Sequence, residues 1–323
     1  MPSAARGKLD YEAGQTATSM SALTDSGDQT TYTSAATLWS RVSGFEPDVR
    51  PNGVISGCEI TPHTDNNKVS VAAGSVYVAG VEVAVSAGTV TLTRQSTNDY
   101  KKFSITVDGS GTLAQDEGTE HTAFSDVRDA TGGPPLVATT VVELGQVHLS
   151  SQVAAPVAAS EIKTLLNVHR ESALFPGVTI NYYSGTVTFV AALMVNHTGS
   201  VAKVVSASYA SPSFSEQVNV TNYTPVSTSY SVTSTQVYNG TVGAESSSLA
   251  AGGFTVFLQD GVTDPLFNVK GEIIFTRFYP VRTKTAHVLG QARLGMTPSY
   301  PSDNNIQAAC TLTGDAEFVN RIS

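Results

Sequence analysis

The densest group of side chains able to do chemistry is Asp116-Glu117-Gly118-Thr119-Glu120-His121, which holds three carboxylates and an imidazole. Oxygen and imidazole donors suit a divalent cation, yet this spacing matches no metal-binding loop, and a solvated acidic turn explains the same residues. His63, Asp65, Asn66 and Asn67, in the run TPHTDNN, carry the same two readings. Asn and Asp readily take turn conformations, which favours a hairpin loop there. The other histidines stand at 148, 169, 197 and 287, and no Ser or Cys occupies a recognisable nucleophile setting. G-x-S-x-G, G-x-x-x-x-G-K-[ST], G-x-G-x-x-G and H-E-x-x-H are all absent. Cys58, between Gly57 and Glu59, is either a reactive thiol or a half-buried strand residue, and Cys310 has no CxxC partner. No catalytic residue, cofactor site or metal site is assigned, and no enzymatic activity is expected.

One basic–aromatic stretch, Ile273 to Lys284, interleaves Arg277, Arg282 and Lys284 with Phe275, Phe278 and Tyr279. Such a pattern can stack bases and contact phosphates. As a strand, it sends alternate residues to opposite faces, and in an acidic chain the strand reading is preferred. Asn-x-Thr triplets begin at Asn196, Asn219, Asn222 and Asn239. They match the glycosylation pattern but follow from Asn and Thr abundance.

The elements that must position these residues are mostly strands. Residues 1–50 are polar and read as an N-terminal arm, with a short helical candidate in which Ser34 caps Ala35–Trp39. After the turn DVRPNG, valines recur at period two from Val69 to Val90, broken by Gly74, Gly80 and Gly88, as in a meander with glycine turns. Phe103, Ile105 and Val107 continue it, DGSG turns it, and GGPP opens a strand from Leu136 to Leu149. Ser160, Glu161, Ile162, Leu165, Leu166 and His169 then fall at helical spacing before Pro176-Gly177, which predicts one connector helix. Strands are expected again from Val178 to Thr313. The expected organisation is an arm over 1–50, an all-β domain over 51–155, and a second β domain over 156–323 that starts with the helix.

Composition agrees. Val (39) outnumbers Leu (18), and β-branched residues suit a pleated strand better than a helix. Hydrophobic residues make up 41%, enough to bury a core, while charged residues are only 14%. The net charge of −9 argues against holding a phosphate backbone. No apolar run follows the N-terminus and no apolar stretch is long enough for a membrane helix, so neither a secretory signal nor a membrane partner is expected.

Gln217 to Ala244 contains no Asp, Glu, Lys or Arg. Surface hairpins usually carry charge that discourages edge-to-edge association. The stretch is therefore either an arm that pairs with a neighbouring subunit or a Thr-rich surface hairpin.

Two parts of the chain resemble known families. NGVISGCEIT, VSVAAGSVYVAGVEVAVSAGTVTL and GGPPLVATTVVELGQVHL, between about Asn52 and Ser160, resemble a β-module of tailed-phage appendage and baseplate proteins. Val288–Leu294, a loop over Pro298–Pro301 and Asp303–Asp315 resemble the closing strands of phage tail tube proteins, with Ala316 where that family's second Gly is common and Glu317 following. SFSEQVNVTNYT resembles another segment of the same family, through Asn219, Val220, Thr221 and Asn222. The resemblance implies a mainly β fold, a β-sandwich or barrel with one flanking helix plus an N-terminal all-β domain. It implies a structural virion protein of a bacteriophage tail, a homo-oligomer self-assembling as stacked hexameric rings, with other tail proteins as partners and DNA in passage only. A baseplate, fibre-adaptor or capsid decoration protein is the alternative. A carbohydrate-binding β-sandwich is weaker, because Trp39 is the only Trp and no paired carboxylates mark a site.

Overall fold

Alternating Val, Thr, Phe and Ile dictate the architecture, which is mainly β. In the computed structural model, residues 6–164, 169–171, 175–197, 201–258 and 262–322 are described. Among them the helical residues are two 3-10 segments, Ala159–Glu161 and Pro265–Val269. The connector helix expected from Ser160 is therefore corrected. Ile162 and Lys163 are extended and pair with Val147 and Gln146. Leu165 and Leu166 lie outside the described residues. The short helix expected over Ala35–Trp39 is likewise not helical, and Trp39 is fully buried.

The chain divides into two compact units. One holds Met1–Ala17, Trp39–Pro47 and Ala210–Ser323, and the other Thr18–Leu38 and Asp48–Tyr209. This interleaved division differs from the linear boundaries at 50 and 155, because the first residues belong to a sheet rather than to a free arm.

In the first unit, antiparallel strands run in the order Val220–Thr224, Gly252–Phe257, Gln307–Thr313, His287–Ser299, Ile273–Tyr279 and the N-terminal strand that begins at Lys8. Lys8 to Tyr11 pair with Tyr279 to Thr276. Phe254 and Met296 both pair with Cys310. Alternate residues of Gly252–Phe257 and Gln307–Thr313 point inward, so Phe254, Val256, Ala308, Cys310 and Leu312 share a core with Leu9, Tyr11, Ile274 and Leu294. Each large apolar side chain there contributes about 1.5–3 kcal/mol by leaving water. Pro265–Val269 closes one end of this core. Asp264 caps it by accepting from the Leu266 amide at 2.9 Å, and Leu266 and Val269 are buried. Gly290 admits the ring of Phe318, which would lie 2.0 Å from any Cβ at that position.

In the second unit, residues 53–163 build three small antiparallel sheets around one core, from Val54 to Val157. Gly53–Gly57, Gly74–Val78 and Val81–Val85 form the first; Ile60–Pro62, Lys68–Val71 and Gly88–Thr91 the second. Of the three glycines expected at turns, Gly80 makes one, with Ala79, both at positive φ as a tight two-residue hairpin demands. Gly74 and Gly88 instead open strands. The third sheet joins Leu113–Glu117, Lys101–Asp108, Val141–Leu149 and Ile162–Lys163. A β-bulge slips its register, with Ile105 opposite Gly145 but Thr106 opposite Glu143. That slip changes the parity of the strand, so Val142, Leu144, Val147 and Leu149 all reach the core.

Candidate assembly surface

Ser227–Val237 and Gly240–Ala250 pair with each other in perfect register through eleven residue pairs, from Ser227 opposite Ala250 to Val237 opposite Gly240. They form a two-stranded sheet of their own, paired with no other strand among the described residues. At about 3.4 Å per residue this arm is roughly 35 Å long. Tyr230 is 80% exposed, Val232 69% and Tyr238, in the two-residue turn, fully so. The arm contains residues 227–244 of the neutral stretch seen in the sequence, and Glu245 is its sole charged residue.

Its two faces differ. One carries Tyr230, Val232 and Leu249 beside Glu245, since Tyr230 opposes Ser247, Val232 opposes Glu245 and Thr228 opposes Leu249. The other carries a serine ladder, with hydroxyls of Ser229 and Ser248 at 3.0 Å and of Ser231 and Ser246 at 2.7 Å. An isolated two-stranded hairpin is marginally stable in water, and exposed apolar side chains on one would gain from a surface that covers them.

At the base of the arm, the strand Val220–Thr224 lines a groove of about 640 Å³. Tyr223 stacks on Phe278 there, with ring centroids 4.2 Å apart. Burial pushes the Tyr223 hydroxyl up to about 12. Arg282 pairs with Glu216 at 2.6 Å and Lys8 with Asp10 at 2.9 Å. Arg6 also lines the groove, is exposed, and makes no ion pair among the described residues.

The residues singled out for chemistry are dispersed by the fold. Glu117 pairs with Lys101 at 2.6 Å, Asp116 accepts from Thr106, and Glu120 accepts the amides of Ser96, Thr97 and Asn98. The His121 ring serves the Ala123 backbone. No group of three or more His, Cys, Asp or Glu side chains is placed to hold a metal among the described residues. His63 accepts the Asp65 amide in its loop, and Asp65 pairs with Lys68. In the basic–aromatic stretch, Ile274 and Phe275 are buried and Arg277 lies over Phe214 at 3.6 Å, a strand arrangement. Cys58 and Cys310 are buried, and burial raises both thiols, Cys310 to about 12, which disfavours the nucleophilic thiolate.

Sequence reasoning missed a buried polar network on the third sheet of the second unit. Glu143 is fully buried and ion-paired with Arg128, and it accepts from Ser104 at 2.6 Å and Gln146 at 3.1 Å. Arg128 also donates to the Pro135 carbonyl at 2.8 Å. Lys102 meets Asp126 at 2.9 Å and lies over Phe124. Burial, with Lys102 and Lys163 nearby, pushes His148 down to about 4. The alternation of polar residues at 102, 104 and 106 is the signal, but in sequence it reads as a solvated face. The network anchors the loop that carries Phe124, Asp126 and Arg128 over that face.

No protein-family model, curated protein or solved structure matches the chain. What fold and surface define is a mainly β protein with a hairpin arm that pairs with no other strand among the described residues. None of its described helices is long and apolar enough to cross a membrane.

Proposed function

We propose that this protein is a structural, self-assembling virion subunit, a tail tube protein of a tailed bacteriophage that stacks as rings, hexameric by resemblance, around the path of the DNA. The single observation that carries the reading is the arm, about 35 Å of β-hairpin with Glu245 as its one charged residue and with Tyr230 and Val232 exposed on one face, where a neighbouring subunit would cover them. The resemblance of the Val288–Asp315 strands to tail tube closing strands supports it, and so does the low share of charged residues, 14%, which suits surfaces buried between stacked copies. On this reading the protein is not an enzyme, its partners are further copies and other tail proteins, and its place is the virion.

A second reading, a baseplate, fibre-adaptor or decoration protein, is favoured by one feature. Residues 54–157 hold a core of their own, in the region that resembles appendage modules. Negative-stain microscopy of concentrated protein tests the first reading. Rings or tubes are expected, and a protein that stays monomeric and is absent from particles would refute it. Copy number per particle separates the two.

A further inference from the structure

We infer that the apolar face of the arm of one copy seats in the groove beside Tyr223 and Phe278 of the next copy, with Glu245 of the first meeting Arg6 of the second. The inference rests on the self-assembly reading and names the two surfaces that meet. Three observations carry it.

The arm offers Tyr230, Val232 and Leu249 on one face with a single carboxylate, Glu245, among them. The groove offers an aromatic floor, the stacked Tyr223 and Phe278, with Leu9 in its lining. Charge matches as well as apolar character. Lys8 and Arg282 are already neutralised by Asp10 and Glu216, which leaves Arg6 as the groove cation without an ion pair among the described residues. Glu245 makes no ion pair among the described residues either. Two lone charges of opposite sign, each beside an apolar patch, are complementary, and such pairs set register and partner choice.

The arm does not fill the groove of its own copy, because Tyr230 is 80% exposed. The groove sits at the base of the arm, lined by Asn219–Tyr223, which immediately precede it. Arm and groove are different patches, so each copy has an arm to give and a groove to fill, and on the stacked-ring reading the contact runs head-to-tail. A contact of that type closes into a ring when the rotation allows and otherwise propagates as a filament.

The test uses the full-length protein and reads the concentration at which assembly begins, by light scattering and sedimentation. Glu245→Arg and Arg6→Glu are each expected to raise that concentration about tenfold or more, and the double exchange E245R/R6E to recover most of the loss. Both residues are exposed, so neither change should disturb the fold. As a second measurement, protein carrying Asn222→Cys is mixed with protein carrying Tyr230→Cys under mild oxidation. A disulfide-linked dimer joining the two is expected, and neither protein alone should give it.

Unchanged assembly in both charge variants, together with no mixed disulfide, overturns the inference. Replacing residues 227–250 by a short turn tells that failure apart from failure of the subunit reading. If assembly is lost on removing the arm while the charge exchanges are silent, the arm seats elsewhere. If assembly survives removal of the arm, the arm-based subunit reading fails too.

Discussion

The Glu12 carboxylate accepts the amide hydrogen of Phe275 at 2.9 Å inside the first unit, with no part of Glu12 exposed. Its other oxygen takes the Ser40 hydroxyl and Gln15. Burial raises the pKa of Glu12, and these hydrogen bonds oppose the rise. One side chain thus joins the N-terminal strand, the segment at Ser40 and the strand Ile273–Tyr279. Glu12→Ala strands a buried amide and a buried hydroxyl, so a loss of roughly 2–4 kcal/mol is expected in urea unfolding. Glu12→Gln keeps an acceptor, and its expected cost is about 1 kcal/mol.

Arg128→Met leaves Glu143 buried without its cation. A loss of roughly 3–5 kcal/mol is expected, since an uncompensated buried charge is costly. Adding Glu143→Leu removes that charge and should restore part of the stability, a non-additivity that chemical denaturation of the single and double variants measures directly. Equal losses in Arg128→Met and the double variant would show that the ion pair is not the anchor of the loop.

His148 gives the second unit a pH dependence whose sign is fixed. Its folded pKa, about 4, lies below the ordinary histidine value of 6.5. Between those two values the unfolded chain binds a proton that the folded chain refuses, so this group's contribution to stability falls as the solution is acidified through that window. The neighbours are Lys102 and Lys163, which oppose the imidazolium, and Asp126, which favours it. Thermal unfolding of His148→Gln is expected to show a shallower decline between pH 6.5 and 4. An identical slope would remove His148 from the account.

Gly290→Ala drives a methyl group into the Phe318 ring, where the nearest atom would be 2.0 Å away. Overpacking of this kind costs roughly 1–3 kcal/mol. Phe318→Ala should cost more alone, yet adding Gly290→Ala to it should cost little further, because the obstructing ring has gone. Guanidinium unfolding of the three variants reads this coupling.

In unassembled protein, the amides of Ser227–Val237 and Gly240–Ala250 should exchange with solvent far faster than those of Ile273–Tyr279, because the arm lacks the packing that a sheet needs. Assembly should protect them. Hydrogen exchange followed by mass spectrometry before and after assembly checks both halves, and protection at core level in the monomer would refute the marginal stability assigned to the arm.

The strands were legible wherever one face alone meets a core. Val69, Val71, Val76 and Val78 alternate as expected, and even the bulge near Gly145 is written in the shift of apolar positions from 142 and 144 to 147 and 149. Reading failed where charge goes inside. Lys8–Ala22 resembled a polar arm because Asp10 and Glu12 interrupt Leu9 and Tyr11, yet all four are buried. The helix beginning at Ser160 failed for a different reason: three apolar residues at helical spacing are a weak demand beside a free strand edge at Gln146 and Val147. The charge-free stretch was legible as either an arm or a surface hairpin, and the structure shows a hairpin over Ser227–Ala250, whose second strand Gly240–Ala250, rich in Gly, Ala and Ser, gave little strand signal. The groove was invisible, since Leu9 and Phe278 meet only after folding.

That last pairing sets a timetable for synthesis. The strand holding Leu9 leaves the ribosome well before its partner at Phe278, which is translated 269 residues later, a delay on the order of 10–50 s at ordinary elongation rates. The core between Val54 and Val157 is complete long before then and has no need to wait. The nascent chain therefore holds one finished module while its N-terminal strand stays unmatched, and the arm emerges before the sheet that bears it is closed. On the self-assembly proposed above, a subunit would become competent to join others only after Phe278 has been made, which would keep half-made chains out of the assembly.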